Sequence, residues 1–267
     1  MLLALARPFS LVTLPSQEGT VILTMDASGS MRADDLKPSR LDAAKAAALA
    51  FIEKQPQGVK IGVISFSDSS FLVQAPTSEK EEVIAAVNRL TTQRGTAIGS
   101  ALLTSLDAIF KDAEIEGGAA ISSTTPVPTP TPMPKGMYEP AIIVLLSDGE
   151  SNRGPQPLDV VDQVAARGIR VYTIGVGSVE GVVLRNQGRS MRVRLDETTL
   201  KAIAAATDGE YFNASTEKDL QSIYENLSTQ LVFKKQQTEI TALFTAAAIV
   251  ILLVAGTLSL LWFNRLP

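Results

Sequence analysis

Short, unbroken apolar runs alternate along the chain with longer stretches whose apolar positions recur every three or four residues. The runs are "TVILTMD" (20 to 26), "VKIGVISFS" (59 to 67), "AIIVLLSD" (141 to 148) and "IRVYTIGVG" (169 to 177), with "EYFNA" (210 to 214) a weaker fifth. They are rich in β-branched residues and too short for helices, so strands are predicted there. The stretches between them predict helices over 39 to 54, 79 to 90, 97 to 116, 158 to 167, 197 to 207 and 217 to 231. Strands apolar on both sides, separated by amphipathic helices, belong to an α/β protein whose mostly parallel sheet is covered on both faces. "FLVQAP" after Ser70 follows a tight turn and reads as an antiparallel edge strand. Phe66, Phe71 and Tyr172 fall inside apolar strands and are assigned to the core.

The last apolar stretch is of another kind. "ITALFTAAAIVILLVAGTLSLLWF", residues 240 to 263, carries no charge. A helix of that length reaches roughly 35 Å at about 1.5 Å per residue, against a bilayer core of about 30 Å. Trp262 sits near one end, as interfacial aromatics do, and a transmembrane anchor is predicted. "MLLALARP" at the start is too short to span and lacks the charged start and cleavage site of a signal peptide. It reads as the remnant of an apolar helix stopped by Arg7-Pro8. The expected organisation is an N-terminal segment (1 to 17), a folded domain (18 to 231) with a Pro/Thr-rich insertion at 117 to 139, a juxtamembrane connector (232 to 239), the anchor (240 to 263) and a tail (264 to 267).

Composition narrows the chemistry. The chain has 267 residues, 45% of them hydrophobic, and a formal charge of only -4, which gives no bias toward nucleic acid. It has no histidine, so a Ser-His-Asp relay is impossible and catalytic zinc loses its commonest ligand. Without cysteine there is no thiol catalysis, iron–sulfur cluster or disulfide. Oxygen chemistry remains, which suits hard cations such as magnesium or manganese.

Oxygen ligands converge on one rim of the predicted sheet. Ligands of an open parallel sheet bind at the carboxyl ends of its strands. Asp26 ends the first strand, and Ser28 and Ser30 follow in the next loop. Thr96 in "TQRGTAIGSAL" precedes a helix, and Asp148 in "LLSDGESN" closes a later strand. Taken alone, Asp26-x-Ser28-x-Ser30 is better read as a turn with a helix cap. Taken together, two carboxylates and three hydroxyls arrive at one edge from three loops. Such a set leaves a divalent ion underneutralised, with an open position for an anionic oxygen from outside.

D-x-S-x-S after an apolar strand, G-T before a helix and S-D-G after a later strand resemble the von Willebrand factor A domain with its metal-ion-dependent adhesion site. The resemblance spans roughly residues 18 to 231 and implies a Rossmann-like domain. It also implies Mg2+ (or Mn2+) held by Ser28, Ser30 and Thr96, with Asp26 and Asp148 bound directly or through water. "ALARP" before the domain, "RLDETTLKAIAAATDGEYFNAS" and "IYENL" near its end, and the closing apolar helix are similar to bacterial membrane proteins of the Bacteroides aerotolerance type. That likeness implies a cell-membrane location, company with other membrane von Willebrand factor A proteins, and a MoxR-type AAA+ ATPase system. Lys234 and Lys235 on the domain side outnumber Arg265 beyond the anchor, which by itself places the domain in the cytoplasm. The resemblance implies the outer face, and an extracytoplasmic domain is the expectation.

The expected function is therefore a non-enzymatic, membrane-anchored module that captures an Asp or Glu carboxylate of a partner protein. An alternative is a metal-dependent hydrolase or phosphotransferase with Asp26 as nucleophile. Haloacid-dehalogenase enzymes want a second Asp two residues on, where this chain has Ser28, and only Glu150 lies near as a base. A structural domain that binds no metal is the third reading. "GVGSVEG" and "GTAIGS" lack the Lys and Ser/Thr of a phosphate-cradling loop. Arg185, Arg189 and Arg192 are expected on a solvated hairpin between 178 and 195.

Overall fold

The computed structural model describes residues 9–15, 19–56, 58–116, 140–186, 189–216, 218–220, 222–224, 233–239 and 254–258. The chain divides into two units, Gln17–Val232 and the pair of end segments Met1–Ser16 with Phe233–Pro267.

The larger unit is built on a six-stranded sheet. Its strands are β2 (Gly19–Asp26), β3 (Val59–Phe66), β4 (Ser70–Thr77), β5 (Ala141–Ser147), β6 (Arg170–Val176) and β9 (Tyr211–Ala214), in the order β4-β3-β2-β5-β6-β9. All neighbours are parallel except β4, which returns antiparallel along β3 by a tight turn and forms one edge. The helices are α1 (Arg40–Lys54), α2 (Lys80–Asn88), α3 (Ile98–Glu116), α4 (Pro157–Ala166) and α5 (Glu197–Ala206). Each predicted strand and these five helices match the sequence expectation within two residues. Of the sixth predicted helix, residues 218–220 and 222–224 are helical and the remainder lies outside the described residues.

Period-2 alternation sorts the strand side chains into two apolar layers. Val21, Leu23 and Met25 face α1 and α2 together with Val144, Leu146 and Ile174. Ile22, Ile143 and Leu145 face α3, α4 and α5. Phe51 of α1 meets the buried Tyr224 ring with centroids 5.2 Å apart. Ser39 caps α1 by accepting the Asp42 N–H, and Asp196 caps α5 by accepting that of Thr198.

Phe66 and Tyr172 are buried as expected, but Phe71 is 56% exposed. Phe71 therefore lies outside the core, against the sequence expectation. It stands on an edge strand, where one flank has no neighbouring strand and apolar residues are not enclosed.

In the smaller unit, β1 (Phe9–Pro15) pairs antiparallel with β10 (Phe233–Glu239), from Phe9↔Glu239 to Pro15↔Phe233. A helix remnant and a connector are expected over these residues, and a ladder is found instead. After Phe233, "FKKQQTE" is polar and carries no apolar alternation that would mark it as a strand. The predicted anchor, 240 to 263, lies outside the described residues except for 254–258, which are helical. Among the described residues no helix is long and apolar enough to cross a membrane. The insertion at 117–139 is likewise outside them.

Candidate metal centre

β2 runs mid-sheet, and its last residue, Asp26, is completely buried. Both carboxylate oxygens are engaged: the Ser28 N–H donates to Oδ1 at 2.7 Å and the Ser147 hydroxyl to Oδ2 at 2.5 Å. Ser147 ends the neighbouring strand β5, so pairing of β2 with β5 sets the two carboxyl ends side by side. The chain leaving β2 then makes a short 3-10 turn, Gly29–Arg32. Ser28 occupies the cap position of that turn but makes no capping hydrogen bond. Its hydroxyl instead meets that of Ser30 at 2.8 Å. The Ser30 hydroxyl also donates to the Asp148 carboxylate. Asp26, Ser28, Ser30 and Asp148 thus form one connected group, all of it buried.

Thr96 is held beside this group through its backbone. Its N–H donates to Asn152 Oδ1 at 3.1 Å, and its carbonyl accepts from the N–H groups of Asn152 and Arg153. The same loop is stitched to the serine loop, because the Gln93 N–H donates to the Ala27 carbonyl at 2.6 Å. All three loops named by the sequence are therefore bonded to one another, and Thr96 is buried among them.

The buried carboxylates carry more negative charge than the nearby guanidinium of Arg40 offsets. Burial, then the charge of Asp148, pushes Asp26 up from 3.8 to about 7, against the Ser147 and Ser28 hydrogen bonds that favour its charged form. Asp148 is raised too, again by burial, opposed by the Ser30 hydroxyl, Arg40 and the Glu150 N–H. Two carboxylates in a dry interior cost free energy unless a positive charge compensates them. Among the described residues no group of three or more His, Cys, Asp or Glu could hold a metal. Two buried carboxylates with convergent hydroxyls still fit a hard divalent ion that tolerates neutral oxygen donors. Asp26, Ser28, Ser30, Thr96 and Asp148 are the residues that would hold it.

Two polar neighbours escaped the sequence reading. Ser147 is buried at a strand end, where a serine carries no pattern of its own; only its place before Asp148 hinted at it. Arg40, at the start of α1, is completely buried. Its Nε and Nη2 donate to Asp35 Oδ1 and Oδ2 at 2.7 and 2.6 Å, and its Nη1 reaches Asp148 Oδ2 at 3.5 Å. Burial raises Asp35, but the Arg40 fork and the Ser178 and Leu36 N–H groups outweigh it and hold the carboxyl below its ordinary value.

The expected hairpin is present: β7 (Val182–Asn186) pairs antiparallel with β8 (Arg189–Val193). Both of its feet stand on the site. The Ser178 N–H donates to Asp35 Oδ2 at 3.1 Å, and the Asp196 N–H donates to the Asp148 carbonyl at 2.8 Å. Arg192 donates to the Glu180 carbonyl at 2.5 Å. A cavity of about 440 Å³ opens beside the site, lined by Glu150, Val179, Glu180, Arg192 and Arg194.

Known proteins resemble this chain in sequence and fold. A von Willebrand factor type A domain model matches residues 21–150, and a second model of the same description matches 133–226. A UPF0353 protein of Nocardia farcinica is 32% identical over 280 residues, covering 99% of this chain and 78% of its own length. A UPF0353 protein of Mycobacterium marinum is 30% identical over 270 residues, covering 99% and 76%. An aerotolerance-related membrane protein from Bacteroides fragilis superposes with a TM-score of 0.62 at 22% identity, over 80% of this chain and 98% of its own. Proximal thread matrix protein 1 of the mussel byssus, with a zinc-occupied MIDAS motif, gives 0.57 at 17% identity, over 85% and 50%. These two structures share the fold, and in the mussel protein the fold binds a divalent metal.

Proposed function

The chain belongs to the von Willebrand factor type A domain family, and from that premise we propose that it is a membrane-anchored protein-binding module. In this reading Asp26, Ser28, Ser30, Thr96 and Asp148 hold Mg2+ or Mn2+. When bound, the ion supplies an electrophilic centre for an Asp or Glu carboxylate of a partner protein. The observation that carries the reading is the buried Asp26–Asp148 pair at the carboxyl rim of the sheet, with the Ser28 and Ser30 hydroxyls in contact beside it.

The surface around the rim supports a protein partner over a small substrate. Among the described residues of the larger unit, the exposed large hydrophobics are Phe71, Leu72, Leu158, Val179 and Val183. Each follows the carboxyl end of a strand: Phe71 and Leu72 the β3–β4 turn, Leu158 the loop after β5, Val179 and Val183 the end of β6. Apolar residues gathered on one rim favour a protein contact. Asp26 is a poor nucleophile here, buried with both oxygens already engaged.

Residues 240 to 263 are the proposed anchor, with the domain outside the cytoplasm. The uncharged run supports the anchor, as do the exposed Val254 and Leu258 on its described helical stretch. Other membrane von Willebrand factor A proteins and a MoxR-type AAA+ ATPase system are the proposed company.

The test is a crosslinking pull-down of the full chain from membranes, in magnesium and in chelator. Capture of a partner in magnesium, lost in chelator and in Asp26→Ala, is expected. Capture unchanged by either overturns the reading.

A further inference from the structure

Arg40 opens α1, yet none of it reaches solvent, and a guanidinium is seldom buried without a reason. Its shortest bonds, at 2.6 and 2.7 Å, go to Asp35, which is outside the set of site residues. Nη1 faces Asp148 at 3.5 Å, too long for a strong hydrogen bond but close enough for charge to matter in a dry setting. Space for the guanidinium comes from Gly177, where a Cβ would stand 2.4 Å from its Cζ. Gly177 adopts φ +118, so a side chain there is disfavoured twice over. The group is therefore locked by a bidentate partner on one side and bare backbone on another, with its remaining donor aimed at the site.

We propose that Arg40 is a built-in counter-cation that sets how tightly the site holds a divalent ion. Its fixed charge offsets one of the two site carboxylates and repels a second cation, which keeps the ion exchangeable. The proposal rests on the metal reading of Asp26, Ser28, Ser30, Thr96 and Asp148. A bracing role for Arg40 predicts the opposite sign. Removing a repelling charge tightens metal binding, whereas removing a brace for Asp148 loosens it.

The experiment titrates Mn2+ into the full chain in detergent at about pH 8.5, well above the ordinary carboxylate range. Free Mn2+ is read by electron paramagnetic resonance and folding by thermal shift. Arg40→Gln is expected to bind about ten-fold tighter than wild type, and Arg40→Lys, which keeps the charge, to stay within about three-fold. Arg40→Gln strands the Asp35 carboxylate, so the double variant Arg40→Gln/Asp35→Asn is measured beside it; the Asn side chain still accepts the Ser178 N–H. Equal or weaker binding in the folded variants overturns the proposal. So does a double variant that does not fold, because Arg40 would then be a structural brace. A wild-type chain that takes up no Mn2+ overturns the metal reading itself, and that result is visible before any variant is made.

Discussion

At the scale of single residues, burial turns an ordinary carboxylate into a device. Asp26 is raised from 3.8 to about 7 by burial and by Asp148, so without metal the folded state binds a proton that the unfolded state has lost. The contribution of this group is fully present below about pH 4 and is lost as pH rises toward 7. Thermal unfolding in chelator should therefore show wild type losing stability relative to Asp26→Asn across that window. The same variant should forfeit the gain conferred by magnesium, about 2.7 kcal/mol at a hundred-fold excess over Kd. Ser147→Ala removes the 2.5 Å hydrogen bond to Asp26 and should cost about 1–3 kcal/mol in urea unfolding, since the carboxylate is left short of a donor. Ser28, Ser30 and Asp148 were legible because their spacing repeats a recognisable pattern. Ser147 and Arg40 were not, because a lone serine or arginine shows its role only when its neighbours are in place.

Among elements, helices and parallel strands were legible to within two residues because each carries its own period. α1 illustrates this: Ala43, Ala44, Ala47, Ala48, Phe51 and Ile52 line one buried face. Phe51→Ala should cost about 3–5 kcal/mol by urea unfolding, since it also removes the Tyr224 contact. The exposure of Phe71 was not legible, because residue type does not tell an edge strand's open side from its covered one. The ladder between β1 and β10 was hidden for a different reason: its partners lie more than two hundred residues apart. Loop geometry is equally silent in sequence. Gly149 adopts φ +81, and a Cβ there would stand 2.1 Å from the Asp196 carbonyl oxygen. Gly149→Ala should therefore destabilise by more than about 1 kcal/mol and disturb the hairpin foot at Asp196. Loss of hydrogen-exchange protection at the Asp196 amide would register it.

For the whole molecule, the sheet brings loops from three places in the chain to one rim, so the candidate site can assemble only once the domain has folded. The proposed anchor makes a separate prediction. Full-length chain should resist alkaline extraction from membranes, and a chain ending at Glu239 should be released by it. Retention of the shortened chain would assign membrane attachment to some other part.

The position of Asp26 on its strand has a mechanical consequence. β2 is flanked on both sides by strands running the same way, with eight paired positions on β3 and six on β5. Tension entering at the tip of β2 from a bound partner and directed along the strand would load both ladders together. Both ladders would have to slide at once rather than unzip bond by bond. Stretched between a partner and a tether, such a domain should lose its grip on the partner before the strand is torn from the sheet, and single-molecule pulling would register which event comes first.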